Sequence, residues 1–486
     1  MFDQEEGIVL TELYPTQTSF IQNPLNKKLS LRPTLPGCMI LFYAALLSRD
    51  LLNIRWPQVV FLALFCFSFF FLPENMDIAM LAAIIPLTPR LYFGDISLCF
   101  FAVFLMRRIK KIRFKPFILC FAGVIIIEFV DSLFVSGDIF SVVQFAVLVF
   151  VSIFILITPA TRAQVSTILL AFVTSVTVAI CDICIQTFRL MTVWEFFDNS
   201  YRLGGSGYFP DSLGYATSYN PNMLAVFSGS AFFLVVLMYN VRRITPVQFL
   251  FFGGITLLGG LLTQGRTMLI SIAIFILCLA FANMRDFKSF VFVVGTSLCI
   301  AIVAFILIQG PLKTVFENYM FRFTYGDDVT NGRFDIWWNI LSSLTQDFRA
   351  FFLGYGIRSY AAMTGGMSAH NGYVEVLASW GVVGFGLVFS FHACSVKQQL
   401  RFTSRYQERA KVSFKYFAPL AAFLFSILTT HLYTVTIYAC VFAIVQLAVR
   451  LYDYEDFHLL PAEERARVIA AEKHPTKEEI DALWKA

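Results

Sequence analysis

A histidine and an asparagine stand together where a polar segment meets an apolar run, in SAHNGYVEVLASWGVVG, residues 368–384. Because imidazole has an unperturbed pKa of about 6.5 and exchanges protons at neutral pH, His370 is a candidate general base. Asn371 beside it is a candidate substrate contact. For His370, a role as a helix-capping or interfacial polar residue is an equal alternative. Glu375 could orient the imidazole or accept a sugar hydroxyl, unless it is a solvated surface carboxylate.

Arginines surround this segment in the sequence. Arg266 stands in a very short turn between two apolar runs, LLTQGRTMLIS, with no acidic residue nearby. Arg333 follows an Asn-Gly turn in YGDDVTNGRFDIWW. Guanidinium groups bind phosphate oxygens bidentately, so both predict an anion clamp, with Arg202 and Arg322 as further candidates. Pairing with acidic neighbours is the alternative for the arginines of the later stretch, which also include Arg349 and Arg358; those neighbours are Asp327, Asp328, Asp335 and Asp347.

Glycine turns and a helix start complete the candidate residues. Gly354 and Gly356 form a turn in FLGYGIRSY and are candidates for substrate binding. Asn222 begins an apolar run after Asn-Pro, where a substrate contact and ordinary helix-start chemistry both fit. Gly381 and Gly384, at i, i+3 spacing, would let another helix or a lipid tail approach closely, as is common in membrane helices.

The composition decides which elements position these residues. The 486 residues are 58% hydrophobic, 17% aromatic and 14% charged, which leaves too little polar surface for a soluble globule of this size. Apolar runs of roughly 15 to 22 residues match helices that cross a hydrocarbon core of about 30 Å. We therefore expect an all-α, polytopic membrane protein. Its candidate spans are 36–50, 57–72, 76–89, 92–106, 116–135, 140–158, 164–186, 222–239, 247–263, 268–283, 289–308, 373–394, 414–430 and 432–450.

Basic clusters set the expected orientation, because positive loops stay in the cytoplasm. The clusters are 107–115, 242–243, 285–288 and 397–415. The predicted organisation is a cytoplasmic segment 1–35, a transmembrane bundle 36–308 with an outer loop 187–221, a large periplasmic loop 309–372, three helices in 373–450 and a cytoplasmic tail 451–486. In the large loop, Phe334, Trp337, Leu341, Leu344 and Phe348 predict an amphipathic helix on the outer membrane surface.

Several function classes are excluded by the sequence. It contains no GxxxxGK[ST] loop and no strand-linked GxGxxG, so any reaction must draw on an activated substrate. The net charge of +5 comes from topology signals, and we expect no nucleic-acid partner. The ten cysteines show no paired spacing in polar loops, and the histidines form no ligand spacing, so neither a disulfide framework nor a metal site is expected.

Taken together, these motifs resemble the O-antigen ligase and polymerase superfamily, over roughly residues 200–450. The family signature is His, then Asn, Ser or Gln, nine residues, and G-x-x-G, which His370, Asn371, Gly381 and Gly384 match. The order NGRFDIWW, LGYG, AHNGYVEV is most similar to the polysaccharide polymerase branch. Members usually have Ser before the arginine of the short turn, whereas this sequence has Gly265.

The resemblance implies a membrane glycosyltransferase fold of the GT-C-like type with about twelve spans (12–14 here), and catalysis without metal or cofactor. It implies a polyprenyl-pyrophosphate-linked oligosaccharide as donor, a glycan or lipid acceptor, membrane lipids around the chain, and a chain-length regulator as a further candidate partner. The expected location is the bacterial inner membrane with the site facing the periplasm. Polymerase, ligase and, from another class, transporter of lipid-linked sugars remain alternatives.

Overall fold

The structure is a computed structural model of the chain. It describes residues 34–50, 55–73, 76–87, 101, 103–107, 116–133, 139–158, 160, 162–198, 201–204, 221–241, 243–282, 332–357, 369–406, 414–429 and 437–451, with isolated residues at 291, 294, 295, 298, 313 and 317. Within these ranges every regular element is helical.

The helices follow the apolar runs. In chain order they are α1 (Leu35–Asp50), α2 (Arg55–Phe70), α3 (Met76–Ile84), α4 (Pro116–Asp131), α5 (Ile139–Ile157), α6 (Arg162–Leu190), α7 (Val193–Asp198), α8 (Pro221–Asn240), α9 (Pro246–Leu262), α10 (Arg266–Ala282), α11 (Arg333–Gln346), α12 (Phe348–Leu353), α13 (Gly372–Tyr406), α14 (Ala418–Ser426) and α15 (Ile437–Gln446). Short 3-10 turns flank α14 at 414–417 and 427–429 and extend α15 through Leu451.

In the described residues, the helical architecture expected from composition is confirmed, and it is consistent with a membrane protein. Three of the described helices are long and apolar enough to cross a membrane: Ala163–Leu190, Pro221–Asn240 and Gly372–Gln399. Shorter apolar helices coincide with most of the other predicted spans. Most of the residues in the predicted spans 289–308 and 92–106 lie outside the described residues, so the count of about twelve spans stays a prediction.

A single large apolar core joins the two halves of the chain. It includes the buried side chains Phe172 and Val176 of α6, Phe227 of α8 and Trp380 of α13. Helix α4 packs against α13, and α12 packs against α13 at Gly381. The N-terminal half is therefore part of the frame that holds the candidate site.

The predicted amphipathic helix exists, but its apolar stripe differs from the prediction. Helix α11 ends at Gln346, and Asp347 caps the separate helix α12 by accepting from the backbone N–H of Arg349 at 2.9 Å. Ile340 and Leu344 are buried, whereas Phe334 and Phe348 are 61% and 81% exposed. Helix α11 has apolar side chains on two of its faces. The face that packs against α13 and is buried carries Ile336, Trp337, Ile340 and Leu344.

Candidate active site

Arg266 is the first residue of α10, directly after the tight turn from α9. The turn closes because Gln264 adopts a left-handed backbone conformation, with φ at 49°. The backbone N–H of Gly265 then donates to the Thr263 hydroxyl at 3.2 Å. A Cβ at Gly265 would lie 3.1 Å from the Cβ of Ala225 on α8, so the serine usual in the family would need α8 to give way. Glycine in place of that serine therefore allows this turn to pack closely against α8.

The segment that carries Arg202 is bonded to the same turn. The Nε of Arg202 donates to the Thr263 carbonyl at 2.8 Å, and its Nη2 donates to the Asn222 Oδ1 at 2.8 Å. The Gln264 side-chain amide donates to the Tyr201 carbonyl at 2.9 Å. Two residues predicted to bind substrate, Arg202 and Asn222, are therefore hydrogen-bonded to each other beside Arg266, and they hold the turn in place.

Arg333 is brought to Arg266 from a distant part of the sequence. It is half-buried at the first position of α11, after Gly332 with φ of +73°. Burial, and next the positive charge of Arg266, lower the pKa of the Arg333 guanidinium. Each of the two guanidinium groups also sits at a helix N-terminus, where the macrodipole is positive. Two neighbouring guanidinium groups, each on the first residue of a helix, provide a positive potential that suits an anion.

Helix α11 connects these arginines to His370. Trp337 follows Arg333 by one helical turn, on the same helix face. Its indole Nε1 donates to the carbonyl of Ala369, the residue before His370, at 2.7 Å. His370 itself is half-buried and has φ at 49°, an uncommon conformation for a residue with a side chain. The structure thus brings Arg266, Arg333 and His370 to one region.

The side chain of Asn371 caps the N-terminus of α13. Its Oδ1 accepts from the backbone N–H groups of Tyr373 at 3.0 Å and Val374 at 3.3 Å, which makes it the N-cap of α13. The helix-capping alternative therefore applies to Asn371 rather than to His370. A substrate contact through its amide stays a prediction.

The position of Glu375 rules out one of its two sequence-based interpretations. It is fully buried in the first turn of α13, so a solvated surface carboxylate is wrong. The sequence suggested exposure because Glu375 stands near a loop. The loop helices cover this end of α13, with Ile340, Ala369 and Ala378 in one apolar cluster.

The glycines form an interlock between the loop and α13. Helix α13 breaks at Gly381, whose φ of 63° and ψ of −167° are not helical. The carbonyls of Ala378 and Ser379, freed by the break, accept from the backbone N–H groups of Tyr355 at 2.8 Å and Gly356 at 2.9 Å. Gly354 and Gly356 have φ of 79° and 84°, and side chains there would overlap Ser379 and Asp131. Both glycines therefore allow close packing of the loop against α13 and α4, and substrate binding by them stays a prediction.

The expectation that the G-x-x-G pair lets another helix approach closely is confirmed at Gly381 but not at Gly384. A Cβ at Gly381 would overlap the backbone carbonyl of Phe352 in the loop helix α12. A Cβ at Gly384 would overlap the side chain of Trp380, one turn earlier on the same helix. The first glycine makes room for the loop, and the second makes room for a tryptophan.

Two carboxylates of α4, both within a predicted span, contact the loop and α13 at this interlock, and the sequence pattern did not predict that contact. Glu128 accepts from the Trp380 indole at 2.8 Å, and Asp131 pairs with Arg349 at 2.8 Å. Arg349 was expected to pair, if at all, with acidic residues of its own loop. Two carboxylates within a predicted span were the available signal. Arg322 and Arg358 lie outside the described residues, and within the described part of the chain no His, Cys, Asp and Glu group could hold a metal ion.

Residues 249–389 match the model of the family described as O-Antigen ligase. No curated protein matches the chain. The matched residues begin within α9, end within α13 and include Arg266, Arg333 and His370. The resemblance carried by His370, Asn371, Gly381 and Gly384 is thereby confirmed. The chain therefore contains a domain of the O-antigen ligase and polymerase superfamily at residues 249–389.

Proposed function

We propose that this protein is a bacterial inner-membrane glycosyltransferase that polymerises oligosaccharide repeat units carried on a polyprenyl pyrophosphate, at a site facing the periplasm. The observation that carries the proposal is the meeting of Arg266 and Arg333, two cations from different segments, beside the chain that bears His370. Two guanidinium groups that lie together can each bind phosphate oxygens bidentately, and together they match the two phosphates of a pyrophosphate.

In the proposed reaction, Arg266 and Arg333 bind the pyrophosphate oxygens. The acceptor hydroxyl oxygen attacks the anomeric carbon of the donor, while the bond from that carbon to the phosphate oxygen breaks and its electron pair stays on the phosphate. Fixed guanidinium donors stabilise this growing charge more strongly than the ground state. His370 takes the proton of the attacking hydroxyl. A direct displacement of this kind inverts the anomeric configuration.

Two features bear on the choice between a polymerase and a ligase, and they favour opposite answers. The order of NGRFDIWW, LGYG and AHNGYVEV is similar to the polymerase branch, in which the acceptor is the sugar of a second lipid-linked repeat. The name of the matching family, O-Antigen ligase, favours transfer to lipid A core or a protein hydroxyl as the second candidate. The same arginines and histidine serve both, since only the acceptor differs.

The test uses purified full-length protein in vesicles with a lipid-linked repeat unit as the sole substrate. We expect a ladder of longer lipid-linked glycans, and we expect His370→Ala to slow its formation by about 10²- to 10⁴-fold, the range for loss of a general base. His392→Gln, a change at another histidine of α13, is the matched control and should leave the ladder intact.

Each outcome has a stated meaning. A ladder that persists at full rate in His370→Ala would remove the histidine from the mechanism. Transfer only when lipid A core is added would favour the ligase over the polymerase. Movement of the lipid-linked repeat across the vesicle membrane with no new glycosidic bond would support a transporter and contradict both.

A further inference from the structure

Helix α4 ends in two carboxylates that lie inside the protein. Glu128 is 5% exposed and Asp131 is 3% exposed, and both fall within a predicted membrane span. Carboxylates at such positions are costly unless they are hydrogen-bonded or paired. At i, i+3 spacing the two side chains share one face of α4. That face is turned to the loop helices and to the break in α13.

Glu128 joins two segments that meet at this break. Its Oε2 accepts from the Trp380 indole N–H at 2.8 Å. Both of its carboxylate oxygens lie 3.3 Å from the backbone N–H of Ile357, at the end of the Gly354–Gly356 turn. Trp380 is fully buried, and its ring packs 5.3 Å from that of Phe145. One carboxylate thus ties the loop turn to the residue before Gly381.

Asp131 holds the other end of the same loop segment. Its Oδ1 pairs with the Nη2 of Arg349 on α12 at 2.8 Å. Its carboxylate also lies directly against Gly356, where a side chain would overlap it. The two carboxylates therefore contact the start and the end of the segment 349–357.

This segment is connected to His370 by direct contacts. Tyr355 and Gly356 donate to the freed carbonyls of α13, two helical turns after His370. The hydroxyl of Tyr355 donates to the Ser343 carbonyl of α11 at 3.1 Å. Ala350 of α12, Ala369 and Ala378 belong to one buried cluster with Ile340 and Leu344. A shift of the segment 349–357 would therefore displace the backbone on which His370 stands.

We propose that Glu128 and Asp131 are positioning residues, which hold the loop segment 349–357 on the break of α13 and thereby fix the backbone of His370. This inference rests on the proposed function, because it assigns His370 as the group that is positioned. It also gives the two intramembrane carboxylates a task other than carrying a substrate or ion. Neither residue lies in the part of the chain that matches the family model.

The closing experiment compares Glu128→Ala, Glu128→Gln and Asp182→Asn in the full-length protein in vesicles. The glutamine keeps a carbonyl oxygen that can accept two hydrogen bonds. Asp182 is a control of matched burial, also 5% exposed, in α6, and its hydrogen bond from Gln186 can be kept by asparagine. The measurements are kcat and KM for transfer and hydrogen–deuterium exchange of peptides covering 349–357 and 369–372.

We expect Glu128→Ala to lower kcat by about 10²-fold, the cost of a misplaced catalytic group, with KM unchanged. Exchange should rise in both peptides. Glu128→Gln and Asp182→Asn should resemble the wild type in rate and in exchange. If Glu128→Ala does not fold, Trp380→Phe removes the indole donor while keeping an aromatic ring in the core, and it should change kcat and exchange in the same direction.

Three results would overturn the positioning role: an unchanged kcat in the alanine variant, a lower kcat with unchanged exchange at 369–372, or a glutamine variant as impaired as alanine. Failure of the proposed function is distinguishable, because it is the absence of transfer by the wild type itself. In that case exchange alone decides: a rise in both peptides in Glu128→Ala supports the clamp on the loop, and no rise overturns it.

Discussion

At the scale of single residues, Arg333 and Trp337 show how one turn of a helix can connect the proposed pyrophosphate-binding arginines to His370. Arg333 contributes charge next to Arg266, and Trp337 on the same face bonds to the carbonyl that precedes His370. The adjacent residue Trp338 points away and is 65% exposed. Two neighbouring tryptophans therefore have different environments, which provides a matched pair for mutation.

We predict that Trp337→Phe lowers kcat by about tenfold, since losing one hydrogen bond of about 1 kcal/mol loosens the His370 backbone. KM should stay unchanged, because the arginines that bind the pyrophosphate are retained. Trp338→Phe is the control and should leave both constants unchanged. Steady-state transfer kinetics in vesicles measure both. Equal effects of the two substitutions would contradict the proposed link between α11 and His370.

At the scale of elements, the break in α13 is the feature on which the site depends. A straight helix would leave no free carbonyls at Ala378 and Ser379, and Tyr355 and Gly356 would lose their acceptors. The positive φ at Gly381 costs a residue with a Cβ more than it costs glycine. By contrast, a Cβ added at Gly386, five residues later in α13, would meet no atom within 4 Å.

We predict that Gly381→Ala destabilises the protein by about 2 kcal/mol or more, from backbone strain and from overlap with Phe352. Gly386→Ala should leave stability unchanged or raise it, because alanine is favoured over glycine in a helix by about 1 kcal/mol. Thermal unfolding of the two variants in the same detergent compares them directly. A Gly381→Ala variant with wild-type stability would show that the break is not required.

At the scale of the whole molecule, a second buried polar cluster lies at the end of the bundle opposite the site. Arg450 is 4% exposed and follows α15. Its guanidinium donates to Gln399 of α13 and to the carbonyls of Leu156 and Thr158, at the end of α5. The positive charge there also suits the negative end of the α5 dipole. Residues from three distant parts of the sequence are thus joined by one side chain.

We predict that Arg450→Met destabilises the fold by about 2 kcal/mol or more, because it leaves buried carbonyl acceptors without their donor. Lys397→Met, at an exposed position of α13, is the control for loss of a positive charge and should change stability little. The ratio of transfer rates per folded molecule should be the same for both variants, since Arg450 is remote from the site. A selective loss of rate in Arg450→Met would contradict a purely structural role.

The sequence by itself determined the helical membrane class, most helix positions and the residues of the family signature. These depend on local properties: the length of apolar runs, the positions of helix starts, and the types and spacing of residues around His370. The family match over 249–389 agrees with that reading. The inward face of α11 was predicted only in part, because apolar residues stand on two of its sides and only contact with α13 decides which is buried.

Only the tertiary structure decided which distant residues meet. It joined Arg202 to Asn222, brought Arg333 to Arg266, and buried Glu375 in the first turn of α13. It also placed Glu128 and Asp131, from a helix outside the matched region, against the break at Gly381. The physical reason is that each contact depends on how helices pack across the bundle. No local pattern of charge or hydropathy specifies the partner of a buried charge when that partner lies more than two hundred residues away, as Arg349 does from Asp131.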